Sequence, residues 1–276
     1  MTRPHATTPD GEAGLEALTA DPASALVASD FDGTLSPIVS DPAVAVAVDG
    51  AAGALARLAP LVGTLAIITG RPAAEAVELG GFAGVSGLIV LGHYGAERLQ
   101  DGALRADSAP DGIAAAREAL PGLLAAAGAP DGIRLEDKGM ALAVHVRQAA
   151  DPEAALALLR EPLGRLAADN GLVLEPGRLV FELRPPGTDK GAALRALAAE
   201  RGARSVLFCG DDLGDLPAFA ALRDLRAAGV AGCAVASSSY EAPTVTAAAD
   251  LVVDGPAGIV RLMNGLADTL EAHGTG

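Results

Sequence analysis

Short apolar runs alternate with amphipathic stretches rich in Ala and Leu in the first and last thirds of the chain. The apolar runs occupy residues 25–29, 64–69, 88–91, 206–209, 233–236 and 251–253. Short apolar runs separated by helical stretches are typical of buried parallel strands that helices cover on both faces. The pattern predicts an α/β fold in which a parallel sheet is flanked by helices.

The middle of the chain follows a different order. Between 104 and 183, a helical stretch precedes two short strand-like runs, and this α-β-β unit then occurs again. Turn-forming residues at 137–139 and 176–177 separate the runs of each pair, as in β-hairpins. This segment is predicted to be an inserted α/β domain with an antiparallel sheet. The predicted organisation is a flexible leader (1–14), a discontinuous core (15–103 and 184–276) and the insert (104–183).

Composition restricts the possible partners. The net charge is −15 at pH 7, whereas nucleic acids and anionic membranes are bound by clustered positive charge, so neither partner is expected. The apolar runs are far shorter than the roughly 20 residues of a membrane-spanning helix, and the polar N-terminus lacks a signal-peptide core. Cys209 and Cys233 have no metal-site or disulfide spacing. We expect a monomeric cytoplasmic protein with reduced, buried cysteines.

Two aspartates follow the first apolar run, in the sequence Asp30-Phe31-Asp32-Gly33-Thr34-Leu35. Just past a strand, where Gly33 permits a sharp turn, both carboxylates can face the same space. One carboxylate can attack a phosphate ester while the other transfers protons, provided that a cation offsets the negative charge. Taken alone, the motif is equally compatible with an ordinary turn, since Asp and Gly are common turn residues.

Two further motifs can bind phosphate. Thr69-Gly70-Arg71 supplies a hydroxyl and a glycine just before a predicted helix, where backbone N–H groups bind phosphate oxygens. Lys190 lies at the start of another predicted helix, where the helix dipole also favours an anion. Lys138 and Lys190 are the only lysines among 20 basic residues, which indicates that these positions need a compact ammonium group. A surface lysine is the alternative interpretation of Lys190.

An acidic cluster follows the apolar run at 206–209. Asp211, Asp212 and Asp215 lie within five residues of one another, and burying such a cluster without a cation is unfavourable. Ligands of open α/β sheets bind at the carboxyl ends of the strands. We therefore expect all four motifs to form one metal-assisted phosphoryl-transfer site.

The ordered set of motifs resembles the haloacid dehalogenase-like phosphatase superfamily over nearly the whole chain, and this resemblance implies a Rossmannoid core. The resemblance implies that Asp30 is a nucleophile that forms an aspartyl-phosphate, and that Asp32 is the general acid and then the general base. It also implies that Thr69 and Lys190 hold the phosphoryl group, with Gly70 and Arg71 among the substrate-binding residues. The implied cofactor is Mg²⁺, and its implied ligands are Asp30, the backbone carbonyl of Asp32, and Asp211, supported by Asp212 and Asp215.

Further motifs resemble the trehalose-6-phosphate phosphatase family. They are residues 92–97 (Gly-His-Tyr-Gly-Ala-Glu), 135–139 (Leu-Glu-Asp-Lys-Gly), 145–147 (His-Val-Arg) and 182–191 (Glu-Leu-Arg-Pro-Pro-Gly-Thr-Asp-Lys-Gly). The resemblance implies trehalose 6-phosphate as substrate and an inserted cap of the C2 type that selects it and closes over it. By similarity, Glu136, Lys138 and Glu182 bind sugar hydroxyls. His93 precedes Tyr94 and Gly95 at a predicted strand end near the expected cleft, which makes it a candidate for substrate contact. A structural or cap-closing role is the favoured interpretation of both His93 and His145.

Other functions stay open from the sequence. A related capped phosphatase would act on sucrose 6-phosphate or mannosyl-3-phosphoglycerate, and a phosphosugar mutase would require a sugar bisphosphate. A non-catalytic sugar-phosphate-binding domain is the alternative from another class, although binding alone needs no nucleophile beside an acid. The chain also departs from the family pattern at Leu216, where many relatives carry an acidic residue.

Overall fold

A computed structural model describes residues 4–39, 42–106, 111–177, 179–238 and 243–274. The chain forms two compact units, residues 1–105 together with 189–276, and residues 106–188. The helices are α1 (Pro9–Ala20), α2 (Ala51–Leu58), α3 (Ala73–Gly80), α4 (Asp111–Ala126), α5 (Pro152–Asp169), α6 (Lys190–Arg201), α7 (Leu216–Ala227), α8 (Pro243–Ala248) and α9 (Gly255–Gly274). The strands are β1 (Ala25–Ser29), β2 (Thr64–Ile68), β3 (Ile89–Gly92), β4 (Glu97–Gln100), β5 (Ala103–Ala106), β6 (Arg134–Asp137), β7 (Leu142–His145), β8 (Val173–Gly177), β9 (Val180–Arg184), β10 (Ser205–Gly210), β11 (Ala231–Ser237) and β12 (Leu251–Val253).

The first unit is built on an eight-stranded sheet in the order β12-β11-β10-β1-β2-β3-β4-β5. The strands from β12 to β3 are parallel, and β4 runs antiparallel to β3. Strands β1 and β2 are buried at every position, because helices cover both faces of the sheet. The predicted α/β class and its parallel sheet are confirmed.

Successive side chains of each strand point into two different apolar clusters, one on each face of the sheet. In β1, Val27 packs in a cluster with α1, α2 and α9, whereas Leu26 and Ala28 pack with α6 and α7. Cys209 and Cys233 are free and buried in the first cluster, as predicted. None of the described helices is long and apolar enough to cross a membrane.

The N-terminal segment differs from its prediction. A flexible leader was expected over 1–14, but residues 9–14 form the first half of α1. A Cβ atom at Gly14 would collide with the backbone of Gly232 in β11. Because this close approach requires glycine, the buried face of α1 carries few of the apolar residues that predict a helix. Residues 1–3 lie outside the described part of the chain.

The second unit is an antiparallel sheet in the order β6-β7-β9-β8, with the apolar side chains of α4 and α5 packed on one face. The predicted antiparallel sheet is confirmed. The unit extends to residue 188, beyond the expected end at 183, because β9 continues through Arg184, which pairs with Val173 of β8. The first unit resumes at Asp189, which caps α6.

Candidate active site

The polar motifs of the first unit meet at one edge of its sheet. Asp30 follows β1, and the parallel register places Ser29 beside Cys209 of β10 and Ile67 of β2. The backbone N–H of Asp30 donates to the Cys209 carbonyl over 2.8 Å, which extends the ladder by one residue. The residues that follow β2 and β10 are therefore neighbours of Asp30, as expected for parallel strands.

Lys190 joins two of these motifs. Its Nζ lies 2.7 Å from Asp30 Oδ2 and 2.7 Å from Asp215 Oδ1, and the lysine is only 5% exposed. Asp189 fixes the start of α6 by accepting from the Ala192 N–H. The alternative of a surface lysine is therefore excluded.

The site holds more buried negative charge than positive charge. Burial raises the pKa of Asp30 well above its ordinary value, although Lys190 opposes the rise. Burial and repulsion from Asp215 raise the pKa of Asp211 to about 8. Burial alone would lower the pKa of Lys190, but attraction to Asp215 and Asp30 outweighs it and raises that pKa well above its usual range. The ammonium group of Lys190 therefore does not balance the negative charge of this cluster by itself.

The loop after β10 is held by its own aspartates. Asp215 Oδ2 accepts from the backbone N–H groups of Asp211 (2.8 Å) and Asp212 (3.1 Å), and Asp212 Oδ1 accepts from the Gly214 N–H. Asp215 is fully buried, whereas Asp212 is exposed. Because Asp212 and Asp215 together cap this loop, the missing acidic residue at Leu216 does not leave it without a cap.

Three carboxylates of this site can hold a metal ion. One oxygen from each of Asp30, Asp212 and Asp215 lies within 4.8 Å of the others. Carboxylate oxygens are the ligands that hard divalent cations prefer, and a cation would offset the charge that burial leaves uncompensated. The donor set therefore fits a divalent metal ion.

Asp211 is not a member of this set of three. Its Oδ1 accepts from the Thr34 hydroxyl over 2.9 Å, and it is buried against the turn at Gly33. Gly33 has a positive φ of 74°, and a Cβ there would collide with the Asp211 carboxylate. Asp211 thus packs against the loop that carries Asp30 and Asp32, where it fixes the spacing of the two chain segments.

Asp32 is held by Arg71. The guanidinium donates through Nε and Nη2 to both oxygens of the Asp32 carboxylate, each over 2.7 Å. Arg71 also pairs with Glu75 and lies over the ring of Phe31. The structure therefore places Arg71, predicted as a substrate-binding residue, directly on the predicted acid and base.

Thr69, Gly70 and His93 lie in the neighbouring loops. The buried Thr69 Oγ1 accepts from the Arg71 N–H, which shapes the turn after β2. A Cβ at Gly70 would lie 2.7 Å from the hydroxyl of Tyr94. His93 is buried. Its ring Nε2 lies 3.6 Å from Glu97 Oε1, and its backbone N–H donates to the Arg71 carbonyl. These contacts favour a structural role for His93, whereas the side chain of Tyr94 lies over the turn at Gly70.

The second unit carries the predicted sugar-binding residues on the sheet face opposite its core. Lys138 Nζ donates to Glu182 Oε1 over 2.9 Å, and Glu136 Oε2 lies 2.7 Å from His145 Nε2. The register places Glu136, Ala143 and Glu182 side by side on three adjacent strands. The structure thus brings the three predicted residues onto one face.

Some supporting residues were not predicted from the sequence. In the first unit, the buried Ser237 hydroxyl donates to the Gly33 carbonyl over 2.8 Å, and Tyr94 covers Gly70. In the second unit, Arg117 forms a two-point ion pair with Asp137, which also accepts from the Gly139 N–H. The only sequence signals were a serine at a strand end and the Asp-Lys-Gly turn.

Comparisons with known proteins agree with this geometry. A family model described as Trehalose-phosphatase matches residues 28–257. Trehalose-6-phosphate phosphatase of Escherichia coli (strain K12) is 36% identical over 200 residues, which cover 71% of this chain and 73% of that protein. Trehalose-phosphate phosphatase of Mycolicibacterium paratuberculosis is 34% identical over 257 residues, 88% of this chain and 62% of that protein.

A solved structure shows the same fold. The C-terminal domain of trehalose-6-phosphate phosphatase from C. albicans superimposes with a TM-score of 0.76 over 97% of this chain and 99% of that domain, at 21% sequence identity. At this identity the similarity supports the architecture alone. The family match, in contrast, spans both the acidic strand ends and the inserted unit, and the chain therefore belongs to the trehalose-phosphatase family.

Proposed function

We propose that the protein hydrolyses trehalose 6-phosphate to trehalose and phosphate through an aspartyl-phosphate on Asp30. The observation that carries the proposal is the ammonium of Lys190, which lies 2.7 Å from both Asp30 and Asp215 beside the acidic cluster. An ammonium in that position can offset charge on a nucleophile and on a phosphoryl oxygen at once. A binding domain would have no need to hold a carboxylate in this way.

In the first half-reaction, an Asp30 oxygen forms a bond to phosphorus while the bond from phosphorus to the sugar oxygen breaks. Asp32 donates a proton to the departing sugar oxygen. In the second, Asp32 accepts a proton from water as the water oxygen attacks phosphorus, which releases phosphate and restores Asp30. The two hydrogen bonds from Arg71 fix the position of the Asp32 carboxyl group in both steps.

We propose Mg²⁺ as the cation, held by Asp30, Asp212 and Asp215, with the carbonyl of Asp32 and Asp211 as additional or supporting groups. When bound, Mg²⁺ would supply positive charge that allows a carboxylate and an anionic ester to approach each other. The oxygen-only donor set and the uncompensated negative charge support this choice. Thr69 and Lys190 would hold the phosphoryl oxygens.

We further propose that the second unit provides the groups that recognise the sugar. Glu136 and Glu182 can accept hydrogen bonds from hydroxyl groups, and Lys138 can donate to several oxygens. Each carboxylate is already paired with a cation or an imidazole on the same sheet face. A face with such balanced charge suits a neutral disaccharide. The predictions of a monomer and of a cytoplasmic location stay predictions.

A panel of phosphate esters, assayed with Mg²⁺ and with a chelator, tests the proposal. The expected result is phosphate release from trehalose 6-phosphate with Mg²⁺, and loss of that release in the chelator. Faster turnover of sucrose 6-phosphate or mannosyl-3-phosphoglycerate would overturn the substrate. Absence of turnover on every ester would favour a binding domain, and a requirement for a sugar bisphosphate would indicate a mutase.

A further inference from the structure

In the second unit, His145 contacts Glu136 on the face of the sheet that lies opposite the apolar core. Its Nε2 lies 2.7 Å from Glu136 Oε2, and both side chains are about one-third exposed or less, at 27% and 33%. The contact lowers the pKa of Glu136, with the hydrogen bond from His145 as the largest cause. An ionised carboxylate only accepts hydrogen bonds, so the Nε2 atom of His145 is the donor.

Strand pairing explains why the two side chains meet. Glu136 is directly opposite Ala143, and Arg134 is directly opposite His145, so all four residues share one sheet face. His145 therefore reaches Glu136 diagonally across the hairpin. Ala143 has a side chain small enough to let longer side chains converge over it.

Other charged side chains on this face have interactions of their own. Lys138 pairs with Glu182, Arg184 pairs with Glu175, and the charges of Lys138 and Arg134 also act on Glu136. On the other side of His145, β9 contributes the apolar Val180. The hydrogen bond with His145 constrains the orientation of Glu136.

We propose that His145 is a positioning residue for substrate recognition. Its Nε2–H holds one oxygen of Glu136, so that the second oxygen is presented to a sugar hydroxyl in a fixed orientation. The inference rests on the proposed function, because it assigns to His145 a role in binding the sugar of that substrate. A fixed acceptor binds more tightly than a mobile one, since less side-chain freedom is lost on binding.

A purely structural role for the pair of His145 and Glu136 would lead to kinetics different from those of a positioning role. Cross-strand pairs stabilise a sheet only modestly, so loss of a purely structural pair would lower thermal stability slightly and leave the Michaelis constant unaltered. A positioning residue changes KM for the sugar phosphate while kcat is retained, because the chemistry takes place on the phosphoryl group.

The test compares His145→Ala, His145→Gln and the control Val180→Ala. Gln can place an N–H near the position of Nε2, whereas Val180→Ala removes a sheet neighbour of His145 without removing a polar group. With trehalose 6-phosphate, His145→Ala should raise KM about tenfold and leave kcat within about threefold. His145→Gln should recover most of the loss, and Val180→Ala should behave as the unaltered enzyme.

Two further measurements complete the test. Hydrolysis of an aryl phosphate, which has no sugar, should be the same in His145→Ala and in the unaltered enzyme. The double variant Glu136→Ala/His145→Ala should be no worse than Glu136→Ala alone, because the two residues act as one unit. An unchanged KM in His145→Ala, equal losses on both esters, or multiplied losses in the double variant would overturn the inference. If the unaltered enzyme releases no phosphate from trehalose 6-phosphate, the proposed function itself fails.

Discussion

The two units carry polar clusters that differ in their balance of charge. In the first unit, four carboxylates lie around the single ammonium of Lys190, and burial raises the pKa of Asp30, Asp211 and Asp215. In the second unit, the carboxylates of Glu136, Glu175 and Glu182 each pair with a cation or an imidazole. One cluster is left with excess negative charge, whereas the other is neutral or nearly so.

The difference underlies what we propose for each cluster. Buried excess negative charge is unfavourable unless a cation joins it, so the first cluster suits a metal ion, which we propose then permits an anionic phosphate to bind. Paired carboxylates and cations offer acceptors and donors without a net field, and we propose that the second cluster binds a neutral sugar.

The largest effect is expected for Asp30→Asn. Removal of the nucleophile should lower kcat by about 10⁴ or more. The thermal midpoint should stay the same or rise, because the folded state no longer holds that buried charge. Phosphate release and a thermal melt measure the two quantities. The exposed Asp224→Asn serves as control and should change neither, while a retained kcat in Asp30→Asn would exclude this residue as the nucleophile.

Replacement of each lysine by methionine contrasts the two clusters directly. Lys190→Met leaves buried carboxylates without their ammonium and should destabilise the fold by about 3 kcal/mol, with a fall in kcat of about a hundredfold or more. Lys138→Met should mainly raise KM for the sugar phosphate, because its partner Glu182 belongs to the face that we propose binds the sugar. Urea unfolding and steady-state kinetics provide the values. Equal losses of stability in both variants would contradict the contrast.

Gly33→Ala should have an intermediate effect. The residue has a φ of 74°, and a Cβ would collide with the Asp211 carboxylate, so the loop that carries Asp30 and Asp32 must shift. We expect a loss of about 1–3 kcal/mol of stability together with reduced kcat. Gly122→Ala, on the exposed side of α4 with no atom near its Cβ, is the matched control. It should be neutral or slightly stabilising.

The smallest effect concerns pH and the second unit. The pKa of Glu136 is lowered in the folded state by the His145 hydrogen bond, so the unfolded chain binds a proton first as the pH falls. The resulting stabilisation is fully present above about pH 4.3, the ordinary value for Glu, and is lost as the pH decreases through the folded-state pKa. The stability difference between the unaltered protein and Glu136→Gln should shrink across this range. A constant difference would contradict the shift.

The sequence predicted the parts of the site that depend on strand ends. Asp30 and Lys190 are 160 positions apart, yet both were expected at one sheet edge because motifs that follow parallel strands meet there. Partners were harder to predict. The two-point ion pair between Arg71 and Asp32 depends on which two strands are neighbours. The contact between His145 and Glu136 depends on the register of a hairpin. Neither the strand order nor the register follows from composition or spacing.

Helix α1 shows a different reason for failure. Its contact with β11 relies on glycine at position 14, where a side chain would collide with the neighbouring backbone. Sequence patterns recognise a buried helix by its large apolar residues, and this helix buries Gly11 and Gly14 beside Leu15 and Leu18. A face made partly of glycine resembles a polar, flexible leader until the packing is known.

The central claim is that a divalent cation offsets the excess charge around Asp30, and Mg²⁺-dependent stabilisation tests it most directly. The free energy of unfolding should rise with Mg²⁺, by about 2.7 kcal/mol at a hundred times the dissociation constant. Asp212→Asn should weaken this response, since Asp212 is an exposed member of the cluster, and the control Asp224→Asn should not. No stabilisation by Mg²⁺, together with full turnover of trehalose 6-phosphate in a chelator, would contradict the central claim.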